Sequence, residues 1–275
     1  GKKQMRALVT GYKGYIGSHI YRELQRSGYK VYGVDLKDGH DLLHYIPDVE
    51  VDVVFHLAAF PRVAFSVENP YYTLMNNVLA TSRILEWALK HKVSRVVFSS
   101  SSAVYGDGGG PTSPYGLHKM MSEKECQLYS ELYGLDTVCL RYFNVYSADQ
   151  EYGGAYSTVI AAWINSIKES QTINLEGDGK QTRDFIHVDD IVSANIFCAE
   201  YNDRFDGLCL DVGTGKSVSL NYIKDAILQK TKVAVVRKPA RTGDVRNTLA
   251  DITPLKKLGW RSNIDIVDGL GKCFK

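Results

Sequence analysis

Residues 10–18 read Thr-Gly-Tyr-Lys-Gly-Tyr-Ile-Gly-Ser, and this stretch decides the fold. It lies between an apolar run at 6–10, which predicts a buried strand, and an amphipathic run at 16–27, which predicts a helix. Its glycines have the spacing G-x-x-G-x-x-G: Gly11, Gly14 and Gly17. A strand, a glycine-rich turn and a helix in this order are typical of a dinucleotide-binding loop. Glycine lets the backbone approach a pyrophosphate, and the helix N-terminus presents N–H groups and a positive dipole end to that anion.

The second predicted strand, residues 30–35, ends at Asp35. A carboxylate at this place in a dinucleotide-binding fold accepts hydrogen bonds from the ribose hydroxyls of the adenosine. Its negative charge repels the 2′-phosphate of NADP, so the sequence favours NAD as the cofactor. Lys37 lies close by in sequence and carries the opposite charge, which leaves NADP as an alternative at this point.

The first half of the chain alternates short apolar runs with amphipathic ones. Runs rich in Val, Phe and Leu predict further strands at 53–57, 95–100 and 137–142, and two long periodic stretches predict helices at 71–90 and 115–133. Strands that are apolar throughout and alternate with helices indicate a parallel sheet covered on both faces. The predicted fold class is therefore α/β, with a Rossmann-type doubly wound parallel sheet.

The C-terminal part of the chain has a more mixed pattern. It predicts helices at 158–169, 188–201 and 220–229, and short strands at 208–212 and 233–237. Thr253 and Pro254 predict the N-cap and first position of one more helix, which Gly259 ends. We expect two domains: an NAD-binding domain over 1–146, to which residues from about 184 to 212 return, and a smaller mixed α/β substrate-binding lobe over 147–275.

Composition excludes several classes of partner. Of the 275 residues, 44% are hydrophobic and 23% charged, and a net charge of +2 gives no strong field for nucleic acid or an acidic membrane surface. No apolar run approaches the roughly 20 residues that span a bilayer, and the polar residues 1–5 are unlike a signal peptide. The five cysteines, none of them spaced C-x-x-C, predict buried reduced thiols and no metal site. We expect a cytoplasmic protein.

A second group of residues has the composition of a catalytic site. Ser99 to Ser102 follow a predicted strand, and Tyr115 and Lys119 have the spacing i, i+4 on a predicted helix, so they share one face. A phenolate can act as a general base, and a neighbouring ammonium together with a positively charged nicotinamide ring should lower the pKa of the tyrosine. A serine hydroxyl at the end of the strand could share the proton that is moved.

With these motifs the chain resembles the extended short-chain dehydrogenase/reductase family, in its nucleotide-sugar epimerase and dehydratase branch, and it looks most like UDP-hexose 4-epimerases. The resemblance covers nearly the whole chain and rests on these segments: 55–59 (Phe-His-Leu-Ala-Ala), 77–81 (Asn-Val-Leu-Ala-Thr), 98–106, 115–119, 140–146 (Leu-Arg-Tyr-Phe-Asn-Val-Tyr), 177–190 and 243–246 (Gly-Asp-Val-Arg). It implies an NAD cofactor, a UDP-sugar substrate and a homodimer in which the two long helices pair across a two-fold axis.

The resemblance also implies roles for individual residues. Those in catalysis are Ser101, Tyr115 and Lys119. Those that bind the cofactor are Gly11, Gly14, Tyr15, Ile16, Gly17, Asp35, Leu36, Asp41, Leu42, Leu57, Ala58, Ala59, Phe60, Asn77, Ser99, Tyr115, Lys119 and Tyr142. Those that bind the substrate are Ser101, Ser102, Asn144, Tyr156, Arg183, Arg241, Asp244 and Thr248, with Arg246 as a further candidate. Guanidinium groups bind phosphate oxygens bidentately, which suits the arginines to a diphosphate.

The residues after Ser101 narrow the choice of reaction within the family. Dehydratases of this branch carry an Asp-Glu pair where this chain has Ser102 and Ala103, decarboxylases carry a Glu in place of Ala103, and epimerase-reductases carry a Cys near the serine. Epimerisation at C4 needs only the three catalytic residues, bound NAD and space for a 4-keto sugar to turn over. We therefore expect a 4-epimerase for the UDP-glucose and UDP-galactose pair.

Other functions remain as alternatives. They are a UDP-glucuronate 4-epimerase, a net dehydrogenase or reductase, and a non-catalytic NAD-sensing protein. Retention of Tyr115 and Lys119 disfavours the last of these.

The chain departs from the family pattern in two shortened loops, at 36–52 and 107–113. By the resemblance, Thr248 falls at the position that borders the C2 substituent of the sugar, where a tyrosine restricts an enzyme to plain hexoses. A threonine there leaves room for an acetamido group. We therefore expect the UDP-N-acetylglucosamine and UDP-N-acetylgalactosamine pair to be accepted as well.

Overall fold

The computed structural model describes residues 3–59, 63–151, 158–240 and 245–274. The chain divides into two compact units, the first formed by Gly1–Tyr142 with Val192–Leu210 and the second by Phe143–Ile191 with Asp211–Lys275. That the first unit binds the cofactor and the second the substrate remains a proposal.

The largest sheet in the described part of the chain has six strands, and β1 to β5 are joined by parallel pairing. In chain order the strands are β1 (Arg6–Thr10), β2 (Lys30–Val34), β3 (Val53–His56), β4 (Arg95–Ser101), β5 (Thr137–Tyr142), β6 (Asn144–Tyr146), β7 (Thr172–Glu176), β8 (Thr182–Arg183), β9 (Phe185–His187), β10 (Leu208–Val212), β11 (Val218–Ser219) and β12 (Ala234–Lys238). The sheet has the order β10-β5-β4-β3-β1-β2, and the pairs β1–β2, β1–β3, β3–β4 and β4–β5 are parallel. The predicted Rossmann-type parallel sheet is confirmed.

The helices begin and end close to the predicted residues in most cases. In chain order they are α1 (Tyr15–Arg26), α2 (Val63–Glu68), α3 (Pro70–Leu74), α4 (Ala80–Lys90), α5 (Pro114–Tyr133), α6 (Val159–Ser170), α7 (Val188–Glu200), α8 (Leu220–Lys230), α9 (Thr253–Leu258) and α10 (Ile266–Cys273). The sequence did not predict α2 and α10. The N-cap predicted at Thr253 is wrong by one residue, because α9 begins at Thr253 and its N-cap is Ile252.

The order of the sheet reverses at β1, since the chain continues to β2 on one side and to β3, β4 and β5 on the other. The carboxyl ends of β1 and β3 lie side by side, with Thr10 opposite His56. In open parallel sheets, ligands bind at the carboxyl ends of the strands where such a reversal occurs. The fold therefore places the glycine loop, which follows Thr10, at the expected ligand-binding edge.

The single helix predicted for 71–90 is wrong in one respect. A π turn, Met75–Leu79, separates α3 from α4. Within it the Thr81 hydroxyl donates to the Asn77 carbonyl oxygen at 2.6 Å. A π turn adds one residue within an otherwise continuous helix, so the stretch still reads as one helix.

The second unit is built around short strands and helices α6, α8 and α10. Its strand pairs are parallel β6–β9, parallel β7–β12 and antiparallel β8–β11. Tyr146, Trp163 and Ile223 lie in its buried core. A Cβ at residue 269 would lie 1.6 Å from the Tyr146 hydroxyl, so α10 packs here because Gly269 has no side chain.

In the described ranges no helix is both long and apolar enough to cross a bilayer, and no group of His, Cys, Asp or Glu side chains is arranged to hold a metal ion. All five cysteines are free thiols. Cys126, Cys139 and Cys198 are buried, whereas Cys209 and Cys273 are partly exposed.

Candidate active site

In the loop between β1 and α1, Gly11 and Gly17 stand at positions where a side chain would press against the backbone. Gly11 has a φ of +69° and donates its N–H to the Val34 carbonyl at 2.8 Å. A Cβ on Gly11 would lie 3.0 Å from the Ala58 backbone, and one on Gly17 would lie 2.0 Å from the Gly11 carbonyl oxygen. The N-cap of α1 is Gly14, which has no side chain to cap the helix. The first turn that follows consists of Tyr15, Ile16 and Gly17. This cradle fits the pyrophosphate of NAD.

Asp35 directly follows β2 and is held by two backbone amides. Its carboxylate accepts from the N–H of Lys13 at 3.0 Å and from the N–H of Lys37 at 2.8 Å. The glycine loop and the 3-10 turn after β2 therefore fix the orientation of this carboxylate together. A carboxylate retains further lone pairs after accepting two hydrogen bonds, so Asp35 can still bind ribose hydroxyls.

Three further residues predicted to bind the cofactor, Leu36, Asp41 and Leu42, have different surroundings. Leu36 is exposed, whereas Leu42 packs into the buried core of the first unit. The Asp41 carboxylate accepts from the Leu43 N–H at 2.9 Å. Of the three, Leu36 offers the apolar side chain that a purine ring can contact.

A chain of hydrogen bonds joins the ends of β1 and β3 to the π turn. The Thr10 hydroxyl accepts from the N–H groups of Leu57 and Ala58, both at 3.0 Å, and lies 2.7 Å from Nδ1 of His56. Because two amides donate to this hydroxyl, its own proton goes to His56. Nε2 of His56 then donates to the Thr81 hydroxyl at 3.0 Å, and that hydroxyl donates to the π turn.

Burial lowers the pKa of His56 to about 3, with the Lys119 ammonium as a lesser cause, so the ring is neutral as the hydrogen-bond chain requires. These hydrogen bonds fix the backbone of three predicted cofactor residues, Leu57, Ala58 and Asn77. Ala59, another predicted cofactor residue, follows Ala58 directly. The sequence analysis missed the residues that fix them: Thr10, His56 and Thr81. Each of the three lies in a motif that the sequence had already pointed out: Thr10 in 10–18, His56 in 55–59 and Thr81 in 77–81.

The end of β4 brings Ser101, the predicted catalytic serine, to the N-terminus of α5. Ser101 caps the 3-10 turn Ser102–Tyr105, and its hydroxyl accepts from the Ala103 N–H at 3.1 Å. A Cβ on Gly116 would lie 2.5 Å from the Ala103 carbonyl oxygen, so this glycine lets α5 approach the turn closely. Tyr115 thereby lies close to Ser101, whose hydroxyl acts to lower the pKa of the phenol.

Tyr115 and Lys119 are both buried on α5. Nζ of Lys119 donates to the Ser99 carbonyl oxygen at 2.8 Å and lies 5.8 Å from the centre of the Tyr115 ring. Burial raises the pKa of Tyr115 to about 12, opposed by the Ser101 hydrogen bond. Burial also lowers the pKa of Lys119 to about 8, opposed by the Glu123 carboxylate.

The expectation that the lysine lowers the pKa of Tyr115 is therefore wrong for the protein's own residues. The ammonium donates to a carbonyl rather than to the phenol, and burial outweighs its field. A positively charged ring bound beside the phenol would act in the opposite direction to burial.

Glu123, one helical turn after Lys119, fastens α5 to the sheet. Its buried carboxylate accepts from the Ser100 hydroxyl at 2.6 Å and from two nitrogens of Arg141 at 2.8 and 2.7 Å. Arg141 also donates to the Tyr105 hydroxyl at 2.9 Å. One network thus holds α5, β4, β5 and the turn after β4. The sequence analysis missed it, although Glu123 follows Lys119 at the helical spacing i, i+4.

Two predicted cofactor residues, Ser99 and Tyr142, contact each other. Their hydroxyl oxygens are 2.7 Å apart, and Asn195 donates to the Tyr142 hydroxyl at 2.8 Å. Burial raises the pKa of Tyr142 to about 12, so it remains a neutral phenol. Because the Ser99 carbonyl accepts from Lys119, the contact between Ser99 and Tyr142 helps to position the lysine.

The second unit places a short segment, 245–248, beside β8. The Thr182 N–H donates to the Arg246 carbonyl at 3.0 Å, and the Thr248 N–H donates to the Thr182 carbonyl at 3.1 Å. This pairing sets Thr248 next to the strand that carries Arg183.

Arg183 and Thr248 both bond to their own unit. The Arg183 guanidinium donates to the carbonyl oxygens of Val245 at 2.7 Å and Arg246 at 3.2 Å. The Thr248 hydroxyl donates to the side-chain oxygen of Asn144 at 3.4 Å. The structure thus brings together three predicted substrate residues, and it gives Arg183 a second role in holding the 245–246 backbone.

Arg246 forms two hydrogen bonds of 2.9 Å with Asp178 on the surface of the same unit. This contact lowers the pKa of Asp178 to about 2. The remaining predicted site residues lie outside the described residues: Phe60, Tyr156, Arg241 and Asp244.

Comparison with known proteins points to one family. The NAD dependent epimerase/dehydratase family matches residues 7–208. A UDP-glucose 4-epimerase of Halalkalibacterium halodurans is 32% identical over 302 residues, with 93% of this chain and 90% of that protein covered.

Solved structures are similar over almost the whole chain. The UDP-N-acetylglucosamine 4-epimerase from Methanobrevibacter ruminantium M1, in complex with UDP-N-acetylmuramic acid, has a TM-score of 0.90 and 31% identity, covering 99% of this chain and 97% of that one. The UDP-glucose 4-epimerase of Thermus thermophilus, in complex with NAD, has a TM-score of 0.83 and 27% identity, with 98% of each chain covered.

Proposed function

This chain belongs to the NAD-dependent epimerase/dehydratase family, and we propose that within it the chain is a UDP-sugar 4-epimerase. Its membership makes it an enzyme that uses NAD, among relatives that act on UDP-sugars. The observation that carries the choice of reaction is the proximity of Tyr115 to Ser101, whose hydroxyl acts to lower the pKa of the phenol, with Ser102 and Ala103 next in the chain. Neither of these two residues has a carboxyl group for elimination or decarboxylation chemistry.

The proposed chemistry uses Tyr115 as the base for the C4 hydroxyl of the sugar. Ser101 bridges the phenol and the substrate hydroxyl, and Lys119, held by the Ser99 carbonyl, supplies positive charge beside the site. NAD, when bound, accepts the C4 hydride and returns it. A 4-keto sugar that turns over between the two transfers presents its other face, and Tyr115 then gives the proton back.

The cofactor is proposed to lie with its pyrophosphate on the glycine loop, its adenosine ribose at Asp35 and its nicotinamide ribose near Lys119. Support comes from the close packing at Gly11 and Gly17 and from the fixed carboxylate of Asp35. Burial keeps the Tyr115 phenol neutral until a compensating positive charge is present, which favours proton removal only when a cofactor is in place.

The sugar accepted is proposed to include N-acetylhexosamines as well as plain hexoses. Thr248 is short, and its hydroxyl is tied back to Asn144, so the side chain occupies little space. The Methanobrevibacter ruminantium protein, similar over the whole chain, carries the name of a UDP-N-acetylglucosamine 4-epimerase. The substrate diphosphate is proposed to bind Arg183 and Arg241.

A homodimer through the two long helical segments is proposed as well. The outer side of α5 exposes a stripe of apolar side chains at helical spacing: Leu117, Met121, Leu128 and Leu132. Tyr71 in α3 and Leu79, the last residue of the π turn, are exposed too. Such a stripe suits a self-complementary contact with a second copy. Leu132→Lys should shift the mass in light scattering from dimer to monomer, whereas Leu208→Lys, an exposed control, should not.

The reaction is tested by incubating the purified full chain, with no cofactor added, with a panel of UDP-sugars and separating the products. The proposal predicts that one or more UDP-sugars reach equilibrium with their C4 epimers. A fixed, small amount of bound cofactor then supports many turnovers.

Other outcomes of the panel would contradict the proposal. Turnover that consumes NAD or NADH in proportion to product would identify a net dehydrogenase or reductase. Loss of carbon dioxide from a UDP-uronic acid would identify a decarboxylase. Tight binding of UDP-sugars without any product would identify a sensing protein.

A further inference from the structure

The turn of the glycine loop carries an unusual pair of side chains, Tyr12 and Lys13, and both contact Asp38. The Tyr12 hydroxyl donates to the Asp38 carboxylate at 2.5 Å, and the Lys13 ammonium forms an ion pair with the same carboxylate. Gly33 in β2 makes room for the Tyr12 ring, because a Cβ there would lie 2.4 Å from it. Tyr12, Lys13 and Asp38 are called the Asp38 cluster below.

The Asp38 cluster lies next to the carboxylate that faces the adenosine ribose in the proposed function. The backbone N–H of Lys13 donates to Asp35 at 3.0 Å, so the residue whose ammonium is held by Asp38 also positions Asp35. Lys37, the other cation of this region, donates its ammonium to the Lys13 carbonyl oxygen at 3.2 Å. Two carboxylates and two ammonium groups thus share this edge of the first unit.

Charge at this edge decides which cofactor binds. A free ammonium near the ribose would attract the 2′-phosphate of NADP, as arginine and lysine do in NADP-binding folds. Here Asp38 neutralises the Lys13 ammonium, while the Tyr12 hydroxyl holds Asp38 in place. Of the two charges that remain, the Asp35 carboxylate repels a phosphate, and the Lys37 ammonium is held at the Lys13 carbonyl oxygen.

We propose that Asp38 is a specificity-determining residue: by holding the Lys13 ammonium it keeps the adenosine site selective for NAD over NADP. The proposal rests on the placement of the adenosine ribose at Asp35. It does not depend on the reaction at the sugar. It gives Tyr12, Lys13 and Asp38 a role in selecting the cofactor, in addition to the role of the glycines in binding it.

The test is a competition for the cofactor site. The full chain, wild type or Asp38→Asn, is incubated to equilibrium with an equal mixture of NAD and NADP, freed of unbound nucleotide, and denatured. The released nucleotides are then quantified by chromatography. Asp38→Asn should raise the ratio of bound NADP to bound NAD about fivefold to tenfold, the effect expected for one partly exposed charge in water.

Two further variants identify the cause. In the double variant Lys13→Met with Asp38→Asn the ratio should return to within twofold of wild type, because the freed ammonium is gone. Glu50→Gln removes an equally negative but exposed carboxylate, which pairs with Arg6 at the other end of β1, and should leave the ratio unchanged. Asp38→Ser removes the same charge and replaces Asp38→Asn if that variant does not fold.

The proposal is overturned if neutralising Asp38 changes the ratio by less than twofold. It is also overturned if the rise persists without Lys13, or if Glu50→Gln gives the same rise. The experiment measures only bound nucleotide and not sugar turnover. Its result can therefore be interpreted even if the protein is not a 4-epimerase.

Discussion

The two units of this chain hold their candidate site residues in different ways. In the first unit, Lys119 and Asp35 are fixed by groups from neighbouring parallel strands and the turns at their ends. In the second unit, Arg183 bonds to the carbonyl oxygens of a loop segment, 245–246, and Thr248 bonds to Asn144.

The difference indicates how the two tasks are divided. In the proposed function, the parallel sheet with its fixed strand ends provides the cofactor site and the base. A segment held by side chains and a few backbone bonds can change its residues without disturbing the sheet. We infer that selection of the sugar resides in the second unit, and the following variants test that division.

Tyr115→Phe should have the largest effect. It removes only the phenol oxygen, so turnover should fall by about a thousandfold, within the range for loss of a general base. Bound NAD and the affinity for UDP should stay near wild-type values. Steady-state kinetics and the nucleotide content of the purified protein measure both, and near-normal turnover would remove Tyr115 from the mechanism.

Gly17→Ala should weaken NAD binding by roughly tenfold to a hundredfold, because its Cβ would lie 2.0 Å from the Gly11 carbonyl oxygen and must displace the loop. Gly14→Ala is the matched control, since its Cβ would lie 3.2 Å from that oxygen and needs only a small shift. NAD affinity from calorimetry should rank wild type, Gly14→Ala and Gly17→Ala in that order. Equal effects of the two variants would show that close packing does not shape the cradle.

Thr248→Tyr tests the second unit. The larger side chain should lower kcat/KM for UDP-N-acetylglucosamine about tenfold or more, by overpacking of the space for the acetamido group, and change that for UDP-glucose little. Thr248→Ser, which keeps the hydroxyl bonded to Asn144, should accept both sugars. A wild-type enzyme active on UDP-glucose and inert on UDP-N-acetylglucosamine would contradict the role given to Thr248.

His56→Gln should change how the stability of the fold depends on pH. The pKa of His56 is lowered from 6.5 to about 3 in the folded protein, so the unfolded chain binds the extra proton first as the pH falls. The stability that neutral His56 contributes is therefore complete above pH 6.5 and is lost as the pH falls towards 3.

The measurement is urea unfolding of wild type and His56→Gln at equal cofactor content. Between pH 6 and pH 4, the free energy of unfolding of wild type should fall relative to the variant by up to about 1.4 kcal/mol per pH unit. If the free energy of unfolding depends on pH in the same way in both proteins, His56 is not held neutral by its hydrogen bonds to Thr10 and Thr81.

The sequence predicted the sheet and the glycine loop well because their signals are local. Apolar runs define β1 to β5, and Gly11 and Gly17 stand where only hydrogen fits beside the backbone. The π turn at Met75–Leu79 was not predicted, since it lies inside a stretch that is helical on both sides and reads as one helix.

Contacts between distant residues were also beyond reach from the sequence. Glu123 bonds to Arg141, and His56 bonds to Thr10, across elements that are far apart in sequence. In the sequence each of these residues looks like an ordinary polar side chain. The direction of the Tyr115 pKa shift was misjudged for the same reason. Burial, which sequence spacing does not show, outweighs the nearby lysine.

We propose that the chain inverts C4 of a UDP-sugar by removing and returning the same hydride. The most direct test is incubation of the full chain, without added cofactor, with UDP-glucose carrying deuterium at C4. The account predicts UDP-galactose that retains the deuterium at C4, with none lost to water and no net NADH. Product that has exchanged its deuterium with solvent, or no C4-inverted product from any UDP-sugar tried, would contradict it.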